Sequence, residues 1–216
     1  MTDRAAALAA IAERIRTCTL CSLYQGTTNP VPGAGDIHAD IVFVGEGPGF
    51  HEDRQGLPFV GRSGEYLNYL LNLIGMQREQ VFITNVVKHR PPDNRDPLPD
   101  EISACKPYLD EQLALIDPAV IVTLGRFSMA RYFPGGKISQ IHGQPRYDAR
   151  CAYYPLFHPA AALRTPALRR DMEADIRRLP EIVEKVKAMR AAAGQPPAAP
   201  DAPDVPGEPP RQLPLF

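Results

Sequence analysis

The 216-residue sequence predicts an α/β fold: a three-layer α/β/α sandwich around a four-stranded, mainly parallel sheet. Two observations carry this expectation. Four apolar runs, Ile41 to Val44, Val81 to Thr84, Val120 to Leu124 and Tyr153 to Phe157, are β-branched or aromatic and too short for helices. That is how strands buried on both faces look in sequence. Longer stretches with helical spacing lie between them, so each strand reaches the next by a right-handed crossover. In such a sheet ligands sit at the carboxyl ends of the strands, and the distinctive motifs of this chain fall there.

In chain order, residues 4 to 16 repeat Ala, Leu and Ile at helical spacing and stop at Thr17. Helices are then expected over Glu65 to Ile74, Asp100 to Leu115 and Arg126 to Tyr132. Gly61, Gly64 and Gly75 punctuate the first of these, and Asp100 is placed to cap the second. A last helix spans about Ala167 to Met189. Residues 191–216 differ in character, holding eight of the 24 prolines amid Ala, Asp and Gly. Such a stretch buries too little apolar area to offset its ordering entropy and is expected to be disordered. The division is therefore a folded domain over residues 1–190 and a tail over 191–216.

At 44% hydrophobic the chain supports one sizeable core. Lys and Arg number 24 against 25 Asp and Glu, a net charge of -1, which excludes a broadly basic nucleic-acid binder. Any DNA contact has to be a local patch. The sequence has neither an apolar run long enough for a transmembrane helix nor a signal-peptide cleavage pattern, so a cytoplasmic protein without membrane contact is expected. Four cysteines in such a chain fit metal ligands or buried thiols better than disulfides.

The first strand runs into Gly45-Glu46-Gly47-Pro48-Gly49, whose Gly45, Gly47 and Gly49 let the backbone approach a ligand closely. The spacing is not that of a dinucleotide loop, and no Lys-Ser/Thr follows, so a P-loop is excluded. Leu57-Pro58-Phe59-Val60-Gly61 then sets Phe59 where it can stack on a planar ligand, the alternative being a plain core aromatic. Asn85 closes the second strand, where an amide presents donor and acceptor in one plane, suited to a base edge. His158, fixed by Pro159, closes the fourth.

These segments, with Ile83-Thr84-Asn85-Val86-Val87-Lys88, Arg90-Pro91-Pro92, Asn94-Arg95 and His158-Pro159-Ala160, resemble the uracil-DNA glycosylase superfamily. The resemblance is greatest to its family 4, the thermostable iron–sulfur type, and covers roughly residues 14 to 185. It implies an excision-repair hydrolase that flips uracil out of single- or double-stranded DNA and leaves an abasic site. Phe59 then stacks on uracil, Asn85 reads its edge, and His158 donates to the oxyanion developing on O2. Family 1 carries an aspartate where this chain has Gly47, so no strong base is in place. Glu46 either polarises the water or buttresses the loop. Glu52 either crowds C5 against thymine or is a solvated loop charge. Leu163 is the wedge candidate and Arg164 a phosphate contact, while Ser63 meets a phosphate at a helix start. Lys88, Arg90 and Arg95 complete the expected DNA face. The uninserted His89-Arg90-Pro91-Pro92 does not match the subgroup that traps DNA covalently. The alternatives are a glycosylase of broader deaminated-base range and a non-catalytic, clamp-associated DNA-binding module.

Family 4 further implies a [4Fe–4S] cluster on four cysteines. Here Cys18, Cys21 and Cys105 match, and His89 stands at the third position, so three thiolates and His89 form the expected set. Zinc on the same residues is one alternative and Cys151 in place of His89 another, although Cys151 lies outside the pattern and precedes the fourth strand. At the chain end, Gln212-Leu213-Pro214-Leu215-Phe216 resembles the peptide by which bacterial DNA-processing proteins dock on the sliding clamp, with Gln212, Leu215 and Phe216 as its anchors. The expected protein is a monomer with a DNA substrate and a clamp partner.

Overall fold

The computed structural model describes residues 4–194. In chain order its strands are β1 (Ala34–Gly35), β2 (Ile41–Gly45), β3 (Phe82–Asn85), β4 (Val120–Leu124), β5 (Arg146–Tyr147) and β6 (Ala152–Leu156). They form one sheet in the order β1-β3-β2-β4-β6-β5. The four expected runs are its parallel centre, with Val44 opposite Thr84 and Thr123, and Val122 opposite Tyr154. β1 and β5 pair antiparallel at the two edges, two strands beyond the four expected. Each is two residues long, too short to leave an alternating pattern in the sequence.

The helices are α1 (Arg4–Arg16), α2 (Phe50–Gln55), α3 (Arg62–Asn72), α4 (Pro99–Ile116), α5 (Arg126–Ala130), α6 (Ile138–Ile141), α7 (Pro159–Ala162), α8 (Pro166–Ile176) and α9 (Leu179–Gly194). Successive strand residues send side chains to opposite layers. Ile41, Phe43 and Ile83 pack with Leu67, Leu70, Ile176, Val183 and Val186 on one face. Val42, Val44 and Phe82 pack with Leu109, Leu113 and Ile116 on the other. Burial of both faces is why the strands read as unbroken apolar runs. α1 lies outside α4, with Ile11 and Ile15 against Tyr108.

Three boundaries differ from expectation. Asp100 is not the cap of α4: Leu98 is, Pro99 opens the helix, and the Glu101 carboxylate accepts from the Leu98 amide at 2.7 Å. The single last helix is two, because Pro180 in the first turn of α9 has no amide hydrogen to continue α8. α9 then runs to Gly194, past the expected domain end at 190. No helix among the described residues is long and apolar enough to cross a membrane.

Candidate active site

A cleft of about 950 Å³ opens at the carboxyl ends of the four parallel strands. The loop after β2 supplies Glu46 to Glu52, β3 ends in Asn85, and β4 runs into Gly125 and Arg126. His158 follows β6, Phe59 comes from the approach to α3, and Ser63 from its first turn. β2 has β3 on one side and β4 on the other, so the loops diverge there and leave the crevice between them. Phe59, Asn85 and His158 all line it.

Phe59 is 6% exposed, and its ring centroid lies 5.8 Å from that of His158. Its backbone has φ +50°, a region that bulky L-residues seldom occupy without outside support. Three groups supply it. The Arg78 guanidinium donates to the carbonyls of both Phe59 (2.8 Å) and Pro58. Glu52 accepts from the amides of Val60 (2.9 Å) and Gly61 (3.1 Å) and also from Gly49 (3.1 Å). Gly64 leaves room behind the loop, since a Cβ there would fall 1.8 Å from the Phe59 carbonyl oxygen. Glu52 is therefore no solvated loop charge: both its oxygens are committed to main-chain donors.

Asn85 is 1% exposed, and its Oδ1 has no hydrogen-bond partner, a costly state for a buried acceptor. Gly45 is adjacent because nothing larger fits: a Cβ would lie 2.3 Å from Asn85 Oδ1 and 2.7 Å from the Phe59 ring. The Lys88 ammonium holds the strand end from beneath. It donates to the Asn85 carbonyl (2.9 Å), Thr84 Oγ1 (2.6 Å) and Gln112 Oε1 (2.8 Å). This corrects the expectation that Lys88 faces DNA. The side chain is fully buried, its three donors are used inside, and burial pushes its pKa down to about 7.

His158 starts α7, and its Nδ1 accepts from the Ala160 amide at 3.2 Å. That bond makes Nδ1 the acceptor and leaves the proton on Nε2. Desolvation, with Glu52 opposing and Arg164 assisting, pushes the pKa down to about 4, so the ring is neutral at pH 7. Gly125, at φ +89°, packs against it, a Cβ there meeting the His158 Cβ at 3.1 Å.

Glu46 lines the cleft, and its pKa is raised, chiefly by burial and also by Asp96, with Arg126 opposing. A Cβ at Gly47 would stand 2.7 Å from Val87 Cγ2, so the loop has no room for a side chain there. Gly49 caps α2.

Around the mouth, Arg62, Arg126 and Arg164 line the cleft, and Leu163 beside them is 37% exposed. Among the described residues the side chains of Arg62 and Arg164 have no ion-pair or hydrogen-bond partner. Ser63 sits in the first turn of α3. Arg90 lies over the Phe50 ring and donates to Asn94. Arg95 reaches the rim, but its guanidinium is occupied by the fully buried Glu101 carboxylate at 2.6 and 2.9 Å. Arg62, Arg78, Gly125 and Arg126 were not singled out from sequence. Only Gly125 and Arg126 carried a signal, as the turn directly after a strand.

Cys18, Cys21 and Cys105 are free thiols within electrostatic range of one another, where α1 ends against α4. Cys105 Sγ accepts from the Lys88 amide at 3.4 Å, and burial pushes its pKa up to about 11. His89, next in the chain, is buried with Nδ1 unpartnered. Among the described residues no group of three or more His, Cys, Asp or Glu stands together as ligands of one metal ion. Cys151 precedes β6 at the opposite end of the sheet, its thiol donating to the Ala152 carbonyl. Gln212, Leu215 and Phe216 lie outside the described residues.

The family model of the uracil DNA glycosylase superfamily matches residues 32–179, which holds all four parallel strands and the whole cleft. The chain is 46% identical over 182 residues to the type-4 uracil-DNA glycosylase of Sulfurisphaera tokodaii, covering 80% of this chain and 83% of that one. It is 44% identical to the type-4 enzyme of Archaeoglobus fulgidus (81% and 92% covered) and 43% identical to that of Thermotoga maritima (81% and 94% covered). On these matches the chain belongs to the uracil DNA glycosylase superfamily, in its type-4 branch.

Proposed function

We propose that this protein is a uracil-DNA glycosylase of base-excision repair, hydrolysing the bond between uracil and deoxyribose to leave an abasic site. The observation that carries the reading is the buried, unpartnered Asn85 Oδ1 facing a cleft shared with Phe59 and His158. An extruded uracil offers N3–H to that oxygen and O4 to the amide nitrogen, whereas cytosine presents the reverse pattern at N3 and N4. Phe59 stacks on the ring. As the C1′–N1 bond breaks, the electron pair leaves with uracil, and the Nε2–H of His158 meets the charge gathering on O2. One donor of this kind is worth about 2.7–4 kcal/mol. Water then captures the sugar cation, and Glu46 is assigned to polarise it. Glu52, held by three amides, forms the wall beside C5.

Leu163 is assigned as the wedge that fills the gap in a duplex, with Arg164, Ser63 and Arg90 along the phosphates and Arg95 behind them, its guanidinium held by Glu101. Cys18, Cys21, Cys105 and His89 would hold a [4Fe–4S] cluster, with zinc on the same residues as the alternative. The gathered cysteines, and an unpartnered Nδ1 on His89, next in the chain to the Lys88 amide that meets Cys105, support this assignment. When bound it supplies a cross-link between the end of α1 and the segment from Lys88 to Cys105. Iron content and visible absorbance of the His89→Ala and Cys151→Ser proteins test it: full iron in His89→Ala removes the histidine from the set. The segment after α9 is assigned to carry the clamp-docking anchors, so deleting residues 212–216 abolishes clamp binding and spares excision from short oligonucleotides.

The reading is tested by incubating the protein with single- and double-stranded uracil DNA followed by alkali. Cleavage by the wild type, lost in Asn85→Ala and His158→Ala, supports it. No cleavage by the wild type favours a non-catalytic DNA-binding module instead.

A further inference from the structure

We propose that Arg78 is a positioning residue for excision, setting the Phe59 ring through the main chain in partnership with Glu52. The inference rests on the glycosylase reading and adds the device that fixes its stacking platform.

Four successive residues are gripped by two opposite charges. The guanidinium of Arg78 takes the carbonyls of Pro58 and Phe59, and the carboxylate of Glu52 takes the amides of Val60 and Gly61. A cation on carbonyls and an anion on amides each meet the favourable end of the peptide dipole, and such charge-assisted bonds are the strong ones. The residue between them, Phe59, has the left-handed backbone conformation that nothing in its own side chain favours. Its ring thereby reaches the cleft beside Gly45 and Asn85 while its body packs on the core with Phe43 and Ile83.

Arg78 does not line the cleft, so it cannot reach a base, and its effect on chemistry has to pass through Phe59. A lysine cannot reproduce the contact, because the two carbonyls are met by the two separate nitrogens of a planar fork. The guanidinium is half-buried, and burial lowers its pKa, although Glu79 and Glu52 oppose the shift. Apart from one long approach to Asn68 Oδ1 at 3.5 Å, the guanidinium hydrogen-bonds those two carbonyls among the described residues. A surface arginine kept for solubility would not be spent in this way.

The experiment compares wild type, Arg78→Lys, Arg78→Met and Arg78→Ala in excision from uracil DNA and in affinity for the same DNA carrying an abasic site. Uracil excision depends on Phe59, whereas abasic DNA offers no base to stack. Arg78→Met is expected to lower kcat/KM by about ten- to a hundredfold, the effect of displacing a positioned group by a fraction of an ångström. Abasic-site affinity is expected to stay within about twofold, since the phosphate contacts lie elsewhere. Arg78→Lys should fall between, and millimolar guanidinium should restore part of the activity of Arg78→Ala. Wild-type excision by Arg78→Met or by Arg78→Lys overturns the proposal. So does a loss that guanidinium leaves untouched and that abasic-site affinity follows in parallel. A wild type that releases no uracil fails the glycosylase reading itself, a separate outcome.

Discussion

The floor of the cleft and its rim are built on opposite plans. On the floor each working group is immobilised by the main chain: Phe59 through its carbonyl on Arg78, Asn85 through its carbonyl on Lys88, His158 through its ring nitrogen on the Ala160 amide. On the rim, Arg62 and Arg164 have no side-chain partner among the described residues, and Leu163 stands 37% exposed. The difference follows from what each part meets. Stabilising charge on a departing base demands donors fixed before the reaction begins, because any reorganisation subtracts from the gain. Phosphates are reached by long, adaptable cations that fix register and carry no sequence information.

The contrast is open to being broken, most severely at the floor. His158→Ala should lower kcat about 10²–10³-fold, the cost of one oxyanion donor, measured under single-turnover conditions on saturating DNA. Gly45→Ala should cost about a hundredfold despite adding one methyl, because that methyl collides with both Asn85 and Phe59. A Gly45→Ala enzyme with unchanged kcat would mean that the floor yields as easily as the rim.

Acid sharpens the comparison. The folded His158 has a pKa of about 4 against its ordinary 6.5, so the unfolded chain binds more protons between these values. Its contribution to stability is complete above pH 6.5 and is eroded as the pH falls towards 4. In urea melts over that window, His158→Gln should lose stability less steeply than the wild type. The smallest effects belong to the rim. Arg62→Ala and Arg164→Ala should each weaken DNA binding several-fold and reduce the salt slope by about one, with kcat on saturating substrate unchanged. Leu163→Ala should slow excision from duplex and leave single-stranded substrate unaffected, since a strand without a partner has no gap to fill.

Much of the floor was legible because each piece follows a strand that announces itself. Asn85 and His158 terminate apolar runs, and the Gly45 to Gly49 loop breaks another, so their convergence follows from the parallel arrangement alone. What escaped was whatever depends on burial that composition hides. Lys88, beside His89 and Arg90, looked like part of a basic patch, yet it is the only one of the three whose charged end is spent entirely on interior oxygens. Arg78 lies in a polar Gln77-Arg78-Glu79-Gln80 turn with no pattern to mark it, and its role exists only once that turn is folded against the Phe59 loop. Pro180 marks the break between α8 and α9, but the apolar spacing continues through it and hides the boundary. The edge strands left no trace, because two residues cannot alternate.

The tight seat of Gly47 against Val87 has a consequence for how this pocket is able to change. A carboxylate at position 47 would bring an in-place proton acceptor, yet any side chain there first strikes a stiff, fully buried neighbour on the adjacent strand end. Acquiring it is therefore a two-locus problem: Gly47→Asp alone should be deleterious, and only a smaller residue at 87 makes it tolerable. The order of substitutions, more than the merit of the final pair, limits which route this lineage is free to take.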